Sequence, residues 1–554
     1  MLENIGETVD AVLEPLLGRV LIRKGKVLKI GDREIDFHPS FRLLLQTKLA
    51  NPHYQPEMQA QCTLINFTVT KDGLEEQLLG EVVKAERPDL ESLRAGLTKQ
   101  QNDFKITLKT LEDDLLKRLS SAGPDILSDS ALVINLETTK KTAADIELKV
   151  EEGKITSVKI DEARDRYRRA AARASLLYFI LNEIYKINPM YQFSLKAYSV
   201  VFKEALARAE PAEDLEGRVK SLLDSITFSV FVYTSRGLFE RDKLVFLFLV
   251  TLQILQCDGK VDARELDFLL KYAVAPEVSP FPWLSNNSWG GIIALSKMDA
   301  FENLDKEIEG AVKRWQKYTD GEAPERDKLP GDWKNKTPLQ RLCIMRALRA
   351  DRMSYASSAF CEENLGTKYV EARTPPLEKS YEESNCYTAM FFILSAGVDP
   401  LKVSENRLLV YTIDIYGKYS VDLEKLGRKL GFSTDKKNFH IVSLGQGQEI
   451  VAEEAMGVSS VNGHWVILQN IHLVAKWLAT LEKKMEETFD NPLPEYRLYL
   501  SAEPAADASY HIIPQGILES AIKITNEPPI GMWANLHKTF SKLQSESDSW
   551  TSNS

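Results

Sequence analysis

The residue types of a nucleotide site occur near the carboxyl end of the chain, but the charged groups of such a site are missing. The apolar run Phe391–Leu394 is typical of a buried parallel strand, and a turn of small residues follows it. The turn consists of Ser395, Ala396, Gly397, Val398, Asp399 and Pro400. A phosphate-binding loop reads G-x-x-x-x-G-K-[ST], in which the lysine holds the phosphates and the hydroxyl reaches Mg²⁺. The turn has no lysine, and Asp399 would repel phosphate.

A second apolar run, Trp465–Leu468, ends in the neutral amides Gln469 and Asn470. A nucleotide-hydrolysing site needs a carboxylate near such a strand end, to hold Mg²⁺ and orient the attacking water. Two positions of the site are therefore neutral. The pattern predicts a nucleotide-binding fold that serves architecture and relay rather than hydrolysis.

Composition excludes several other classes of protein. The chain has 554 residues, 44% hydrophobic and 27% charged, with a net charge of −10. A net negative charge gives no indication of a basic surface that would bind nucleic acid. The apolar run Leu244–Leu255 is too short to span a membrane. The five cysteines are far apart, so neither a zinc site nor a disulfide framework is predicted. The first residues do not have the pattern of a signal peptide.

Residues 87–187 have the pattern of a long helical hairpin. Leu97, Phe104 and Leu111 repeat every seven residues, and Leu108 and Leu115 form a second row of the same spacing. A Gly-Pro turn then separates a helix over 88–120, about 50 Å long, from a second helix that we predict from Ser130 through Ile187. The pair is either a solvated surface hairpin or a projecting lever, and its length favours the lever.

The remaining segments alternate between α/β and helical patterns. In residues 1–86 we predict strands at Phe41–Thr47 and Cys62–Val69 and a helix at Leu74–Lys84. Residues 188–285 are helical, with a helix–helix turn at Asp258–Asp262, and Trp289, Trp315 and Trp333 of residues 286–385 are predicted packing anchors. Residues 386–540 are predicted to form a parallel α/β module. The predicted strands of this module are Ala389–Leu394, His440–Leu444, Trp465–Leu468 and Tyr496–Ser501. Residues 541–554 are predicted to be a disordered tail.

Long runs of sequence give the chain a specific resemblance. They include SWGGIIALS (288–296), WKNKTPLQRLCIMRALRADRM (333–353), NFHIVSLGQGQEIVAEEA (438–455) and GHWVILQNIHLVAKWLATLEK (463–483). With these runs the chain resembles the C-terminal part of the motor ring of axonemal dynein heavy chains, and the third run is most similar to the outer-arm β type. The resemblance covers nearly the whole chain.

The resemblance implies two AAA+ modules with a long antiparallel coiled-coil hairpin between them. Residues 1–86 correspond to the later half of the large subdomain of the fifth module, 87–187 to the coiled-coil strut and 188–285 to the helical small subdomain. Residues 286–385 lead into the sixth module, whose α/β core is 386–540. Asn51 and Glu503 fall at sensor-like positions. The segment Val403–Val421 is an atypical insertion, and Thr539–Ser554 also departs from the family pattern.

The resemblance also implies a role within a larger machine. The parent heavy chain is an ATP-driven, minus-end-directed microtubule motor of cilia and flagella, located in the cytoplasm, cytoskeleton and axoneme. Its ATP and Mg²⁺ belong to modules outside this chain, so no cofactor is expected here. The implied partners are the rest of the ring and stalk, the intermediate and light chains, and microtubules, without nucleic acid or membrane. The alternatives are a non-motor coiled-coil scaffold and an AAA+ ATPase active in its own right.

Overall fold

The structure is a computed structural model with two compact units, residues 1–70 and 71–554. It describes residues 2, 5–6, 9–22, 27–38, 40–47, 52–121, 130–371, 375–395, 418–445, 447–505, 507 and 510–527. None of the described helices is both long and apolar enough to cross a membrane. The predicted tail 541–554 lies outside the described residues, as does 403–417 of the predicted insertion.

The first unit contains a small antiparallel sheet and two short helices. Its strands are β1 (Leu21–Ile22), β2 (Val27–Ile30) and β3 (Arg33–Asp36), and its helices are α1 (Glu14–Leu17) and α2 (Pro56–Gln61).

The two strands predicted in this unit are wrong. Residues 41–47 make a single parallel bridge, at Leu45 with Leu2, and Cys62–Val69 has no regular structure. Phe67 of that segment is 88% exposed. Residues of high β-propensity form a strand only when neighbouring strands bond and cover them, and the described part of this unit supplies no such neighbour for Cys62–Val69.

The second unit begins with four helices, two of which fall in the segment of the predicted hairpin. They are α3 (Lys71–Glu86), α4 (Pro88–Ser121), α5 (Ser130–Asp165) and α6 (Arg168–Glu183). The prediction of one helix from Ser130 through Ile187 is wrong, because the chain turns at Arg166 and Tyr167. The Tyr167 ring is buried at this turn. The small buried residues Ala170, Ala171 and Ala174 then allow α6 to pack closely against its neighbours.

Helices α4 and α5 run in opposite directions along each other. Arg94 lies 3.8 Å from Asp161, and further along α4 the Gln101 amide nitrogen lies 3.7 Å from where a Cβ on Gly153 would be. Buried and half-buried residues that recur at a spacing of three and four form one side of each helix. On α4 these residues are Leu90, Arg94, Leu97, Gln101, Phe104 and Leu108, and Glu91 beside them is also half-buried. On α5 they are Ala143, Ile146, Val150, Gly153, Ser157, Ile160 and Arg164, and Thr156, Asp161 and Ala163 beside them are also half-buried. The side chains of Leu111 and Leu115 lie outside the described part.

A helical body follows, and it shares one continuous apolar core with α3 and α6. Its helices are α7 (Leu195–Arg208), α8 (Leu215–Ser235), α9 (Glu240–Cys257), α10 (Ala263–Lys271), α11 (Asn286–Ser296), α12 (Leu304–Gly310), α13 (Val312–Thr319), α14 (Pro338–Leu348), α15 (Met353–Leu365), α16 (Thr367–Val370) and α17 (Leu377–Glu383). The predicted helix–helix turn at Asp258–Asp262 is confirmed between α9 and α10. Trp289, Trp315 and Trp333 are buried, as expected for packing anchors.

The carboxyl-terminal part is a five-stranded parallel sheet in the order β5-β6-β7-β4-β8. The strands are β4 (Met390–Leu394), β5 (Phe439–Ser443), β6 (Trp465–Gln469), β7 (Arg497–Ala502) and β8 (Ile522–Asn526). The connecting helices are α18 (Lys418–Leu430), α19 (Glu449–Asn462), α20 (Leu478–Phe489) and α21 (Gln515–Ser520). The four predicted strands are confirmed to within one residue at each end, whereas β8 was not predicted.

Both faces of this sheet are covered. Phe391 and Ile393 of β4 point into the main core, whereas Met390 and Phe392 join a second apolar cluster that includes Leu423 of α18. Alternate residues of a strand point to opposite faces, so continuous apolar strands are what a sheet between two helical layers requires. This arrangement fixes where the strand ends lie, and hence the candidate site.

Candidate functional site

The carboxyl edge of the five-stranded sheet is where a ligand site is expected. β4 is followed in sequence by β5, which lies at one edge of the sheet, whereas β7 is followed by β8 on the other side of β4. The connections after the neighbouring strands β4 and β7 therefore run in opposite directions. In open α/β sheets, ligands bind in the crevice at such a switch point.

The structure brings four predicted site residues to this edge. Ser395 follows β4, Gln469 ends β6 with Asn470 next to it, and Glu503 follows β7. The remaining residues of the predicted loop, 396–400, and the predicted sensor residue Asn51 lie outside the described residues. The site can therefore be built from the ends of β4, β6 and β7.

Asn470 turns the chain sharply as it leaves β6. Its backbone is left-handed, with φ 58° and ψ 43°, and its N–H donates to the Ser501 hydroxyl at 3.2 Å. The Asn470 carbonyl accepts from the Leu473 N–H at 3.0 Å, which opens the 3₁₀ segment Ile471–Trp477. Asn and Asp both tolerate the left-handed region. An aspartate would therefore fit the backbone at residue 470 as well as the asparagine does. The fold does not require the loss of the carboxylate at this position.

His472 connects the ends of β6 and β7. The Glu503 N–H donates to the His472 Nδ1 at 3.2 Å. Burial lowers the pKa of His472, and the nearby Glu503 carboxylate opposes this shift. The imidazole is therefore neutral at pH 7, and since Nδ1 accepts a hydrogen bond, the proton is assigned to Nε2.

The four predicted site residues that the structure describes at this edge do not fit Mg²⁺-ATP. Ser395, Gln469 and Asn470 are neutral and Glu503 is an acid, so these four residues supply no cation for the phosphates. Within the described part of the chain no three His, Cys, Asp or Glu side chains group closely enough to hold a metal ion. The arrangement can connect strand ends through hydrogen bonds, as Ser501 and His472 do.

Sequence reasoning missed Ser501 and His472. Ser501 lies inside the predicted strand Tyr496–Ser501, where a small residue gives no signal, and it is fully buried. His472 lies two residues after Asn470, and a polar residue so close to a strand end at the ligand edge was the available signal.

The three predicted seam residues whose side chains the structure describes occupy one side of α4. Leu97, Phe104 and Leu108 are half-buried, whereas Ile106, between two of them, is 63% exposed. At the base of the pair, the Arg164 Nε lies 3.6 Å from a carboxylate oxygen of Glu91. The sequence pattern did not reveal this ionic contact, because Glu91 and Arg164 are 73 positions apart in the chain.

Comparison with known proteins gives two matching family models. The ATP-binding dynein motor region matches residues 1–146, and the dynein heavy chain region D6 P-loop domain matches residues 385–525. Both agree with an α/β structure that contains a parallel sheet and many helices.

Curated relatives match nearly the whole chain. The ciliary dynein beta chain of Heliocidaris crassispina is 61% identical over 97% of this chain, and dynein axonemal heavy chain 9 of Homo sapiens is 60% identical over 97%. The flagellar outer-arm dynein beta chain of Chlamydomonas reinhardtii is 38% identical over 99%. The chain spans 12% of the length of each of these three relatives. Identity at this level over almost every residue shows that the chain belongs to the axonemal dynein heavy chain family.

Proposed function

We propose that this chain is a non-hydrolysing ring and strut segment of a ciliary dynein heavy chain, and that it relays conformational change from the motor ring to the stalk. The parent molecule is an ATP-driven microtubule motor of the axoneme. Its partners are the rest of the ring and stalk, intermediate and light chains, and microtubules. ATP and Mg²⁺ act in other modules of that molecule.

The observation that carries the proposal is the lack of a carboxylate at the end of β6, on the carboxyl edge of the sheet. Gln469 and Asn470 lie where a hydrolysing site needs a carboxylate, and the Asn470 backbone N–H is already engaged by Ser501. A fold that keeps its parallel sheet without the lysine and the carboxylate of a hydrolysing site remains as rigid as one that has them. Its buried strands and two helical layers make a stiff block on which a lever can rest.

The strut is the second part of the proposal. The alternation of three and four residues along the covered sides of α4 and α5 supports a coiled coil, because a left-handed pair needs a 3.5-residue repeat to keep one side facing its partner. The base of the pair is anchored on α3 and α6, which belong to the continuous core. Force applied to the helical body can therefore reach a distant end of the hairpin.

We expect the chain alone to release phosphate from ATP no faster than buffer does. The reason is the lack of a positive group and of a β6 carboxylate among the described residues of the site. Phosphate release with and without Mg²⁺ measures this directly.

Two glutamate variants identify the source of any activity. Glu503→Gln removes the carboxylate at the ligand edge, whereas Glu495→Gln changes an exposed acid before β7, at the opposite edge. Mg²⁺-dependent hydrolysis that is lost in Glu503→Gln and kept in Glu495→Gln would overturn the non-hydrolysing assignment, and an active ATPase would take its place.

A further inference from the structure

A buried arginine lies where four helices meet at the base of the hairpin. Arg164, in the last turn of α5, is 2% exposed. Its Nη1 lies 3.2 Å from a Glu76 carboxylate oxygen on α3. Its Nε lies 3.6 Å from Glu91 on α4. One guanidinium therefore contacts both arms of the hairpin base and the helix beneath them.

Glu76 is the centre of the same cluster. Besides the contact with Arg164, the carboxylate oxygens of Glu76 lie 3.3 Å from a guanidinium nitrogen of Arg168 on α6 and 3.8 Å from one of Arg94 on α4. The side chains of Arg168 and Arg94 are 42% and 35% exposed, so water screens their charges more than that of Arg164. The buried guanidinium is the strongest candidate for holding the helices in one arrangement.

The cluster is not fully hydrogen-bonded. Within the described structure, the Arg164 Nε and Nη2 and one Glu91 carboxylate oxygen are buried without a hydrogen-bond partner. Arg94 lies 3.8 Å from both Glu76 and Asp161, which is too far for a hydrogen bond to either. A small shift of α4 along its axis would shorten some of these pairs and lengthen others.

Space for such a shift is present. A cavity of about 760 Å³ lies beside the cluster, and Gly80 of α3, Glu91, Arg94 and Arg164 contribute to its lining. Buried polar groups that are left incompletely paired occur at functional sites. The base of the hairpin combines a buried charge, incomplete pairing and room to move.

We propose that Arg164 is a positioning residue that fixes the base of the strut on α3. With this contact in place, a movement of the helical body turns the hairpin as one lever; without it, α4 and α5 shift against α3 and the movement is lost. The inference rests on the proposed relay function and names the residue through which it acts.

The test uses the full-length heavy chain with Arg164→Met, which keeps an apolar stem and removes the charge. We expect basal ATP turnover within about twofold of the wild type and microtubule stimulation reduced about five- to tenfold, a size seen for coupled residues of one network. Arg164→Lys, which retains the charge, should recover part of the stimulation. The control is Lys154→Met, which removes a pair with Glu151 in which both side chains are more than 60% exposed.

Each outcome decides the matter. Normal stimulation in Arg164→Met, even with reduced thermal stability, means a merely structural role and overturns the inference. If that variant yields no folded motor, Glu91→Gln replaces it, and unchanged stimulation there overturns the inference equally. A Phe104→Glu variant distinguishes failure of the relay function from failure of the role of Arg164. If Phe104→Glu also leaves microtubule stimulation intact, the relay function itself is wrong. If stimulation is lost in Phe104→Glu but not in Arg164→Met, only the role of Arg164 is wrong.

Discussion

At the residue scale, the carboxyl-terminal sheet contains a buried lysine, Lys523. This side chain on β8 is 2% exposed, and its Nζ donates to the carbonyls of Leu518 at 2.7 Å and Ala521 at 3.2 Å. The ammonium also lies 4.3 Å from the centre of the Phe193 ring. Burial lowers the pKa of Lys523 to about 7, with Glu519 opposing the shift. The residue connects the last strand to the helical body.

We expect the contribution of Lys523 to stability to depend on pH. The unfolded chain holds the proton up to the ordinary pKa of 10.5, whereas the folded chain releases it near 7. Between these values the unfolded state binds more protons, so the free energy of unfolding rises with pH, by up to about 1.4 kcal/mol per pH unit. Below pH 7 both states are protonated and this dependence vanishes.

Denaturation of the wild type and Lys523→Met at pH 7 and pH 9 measures this effect. The wild type should gain stability relative to the variant as pH rises, because methionine binds no proton. Lys379→Met, at an exposed lysine, is the matched control and should leave the profile unchanged. Parallel profiles for the wild type and Lys523→Met would contradict the assignment.

Residue chemistry could be predicted where it followed a strong local pattern. Gln469 and Asn470 end a continuous apolar run, and the sequence therefore placed them at the ligand edge. Arg164 and Ser501 could not be predicted, because their roles come from contacts between segments far apart in the chain. The strand β8 was not predicted, because the alternation of Ile522, Lys523 and Ile524 is too short to be a clear strand signal, and the lysine does not show that this strand is buried.

At the element scale, the hairpin contains glycines where alanine would serve a helix better. Gly153 lies on the covered side of α5, and a Cβ there would be 3.7 Å from the Gln101 amide nitrogen, an ordinary contact distance. Gly96 of α4 has nothing within 4 Å of its Cβ position. Glycine inside a helix costs roughly 0.5–1 kcal/mol relative to alanine.

We expect Gly153→Ala to stabilise the hairpin by about 0.5–1 kcal/mol, since the methyl group fits and the helix gains propensity. Slower hydrogen exchange of the α5 amides would report this local change. Gly96→Ala should give a similar gain in α4 from propensity alone and is the control. Faster exchange in Gly153→Ala would show that the two helices approach more closely at this point than the distances indicate.

Long elements with a clear period could be predicted, and short or bent ones could not. Four strands of the parallel sheet and helix α4 follow from runs of apolar residues and a seven-residue repeat. The turn at Arg166 and Tyr167 was missed, because the helical pattern continues through it and only packing of α6 against the core demands the bend. The strand prediction at Cys62–Val69 relied on propensity, which burial overrides.

At the scale of the whole molecule, a long pair of helices and a packed core belong to one chain. The buried residues of α3, α6, the helical body and one face of the sheet form a continuous core. The hairpin leaves this core at Pro88 and returns at Asp165, where the cluster around Arg164 ties it to α3. The chain spans about one-eighth of the length of the curated relatives, and a long helical pair fixed to a packed core suits the proposed transmission of movement.

The most direct test of this relay is microtubule stimulation of ATP turnover in the full-length heavy chain carrying Phe104→Glu. Phe104 is half-buried on the covered side of α4, and an unpaired carboxylate there loses part of its hydration, so the two helices should separate locally. Ile106→Glu places the same charge two residues away at an exposed position and is the matched control. The relay predicts that Phe104→Glu keeps basal turnover and loses stimulation by about tenfold or more, while Ile106→Glu keeps both; equal stimulation in the two variants would contradict it.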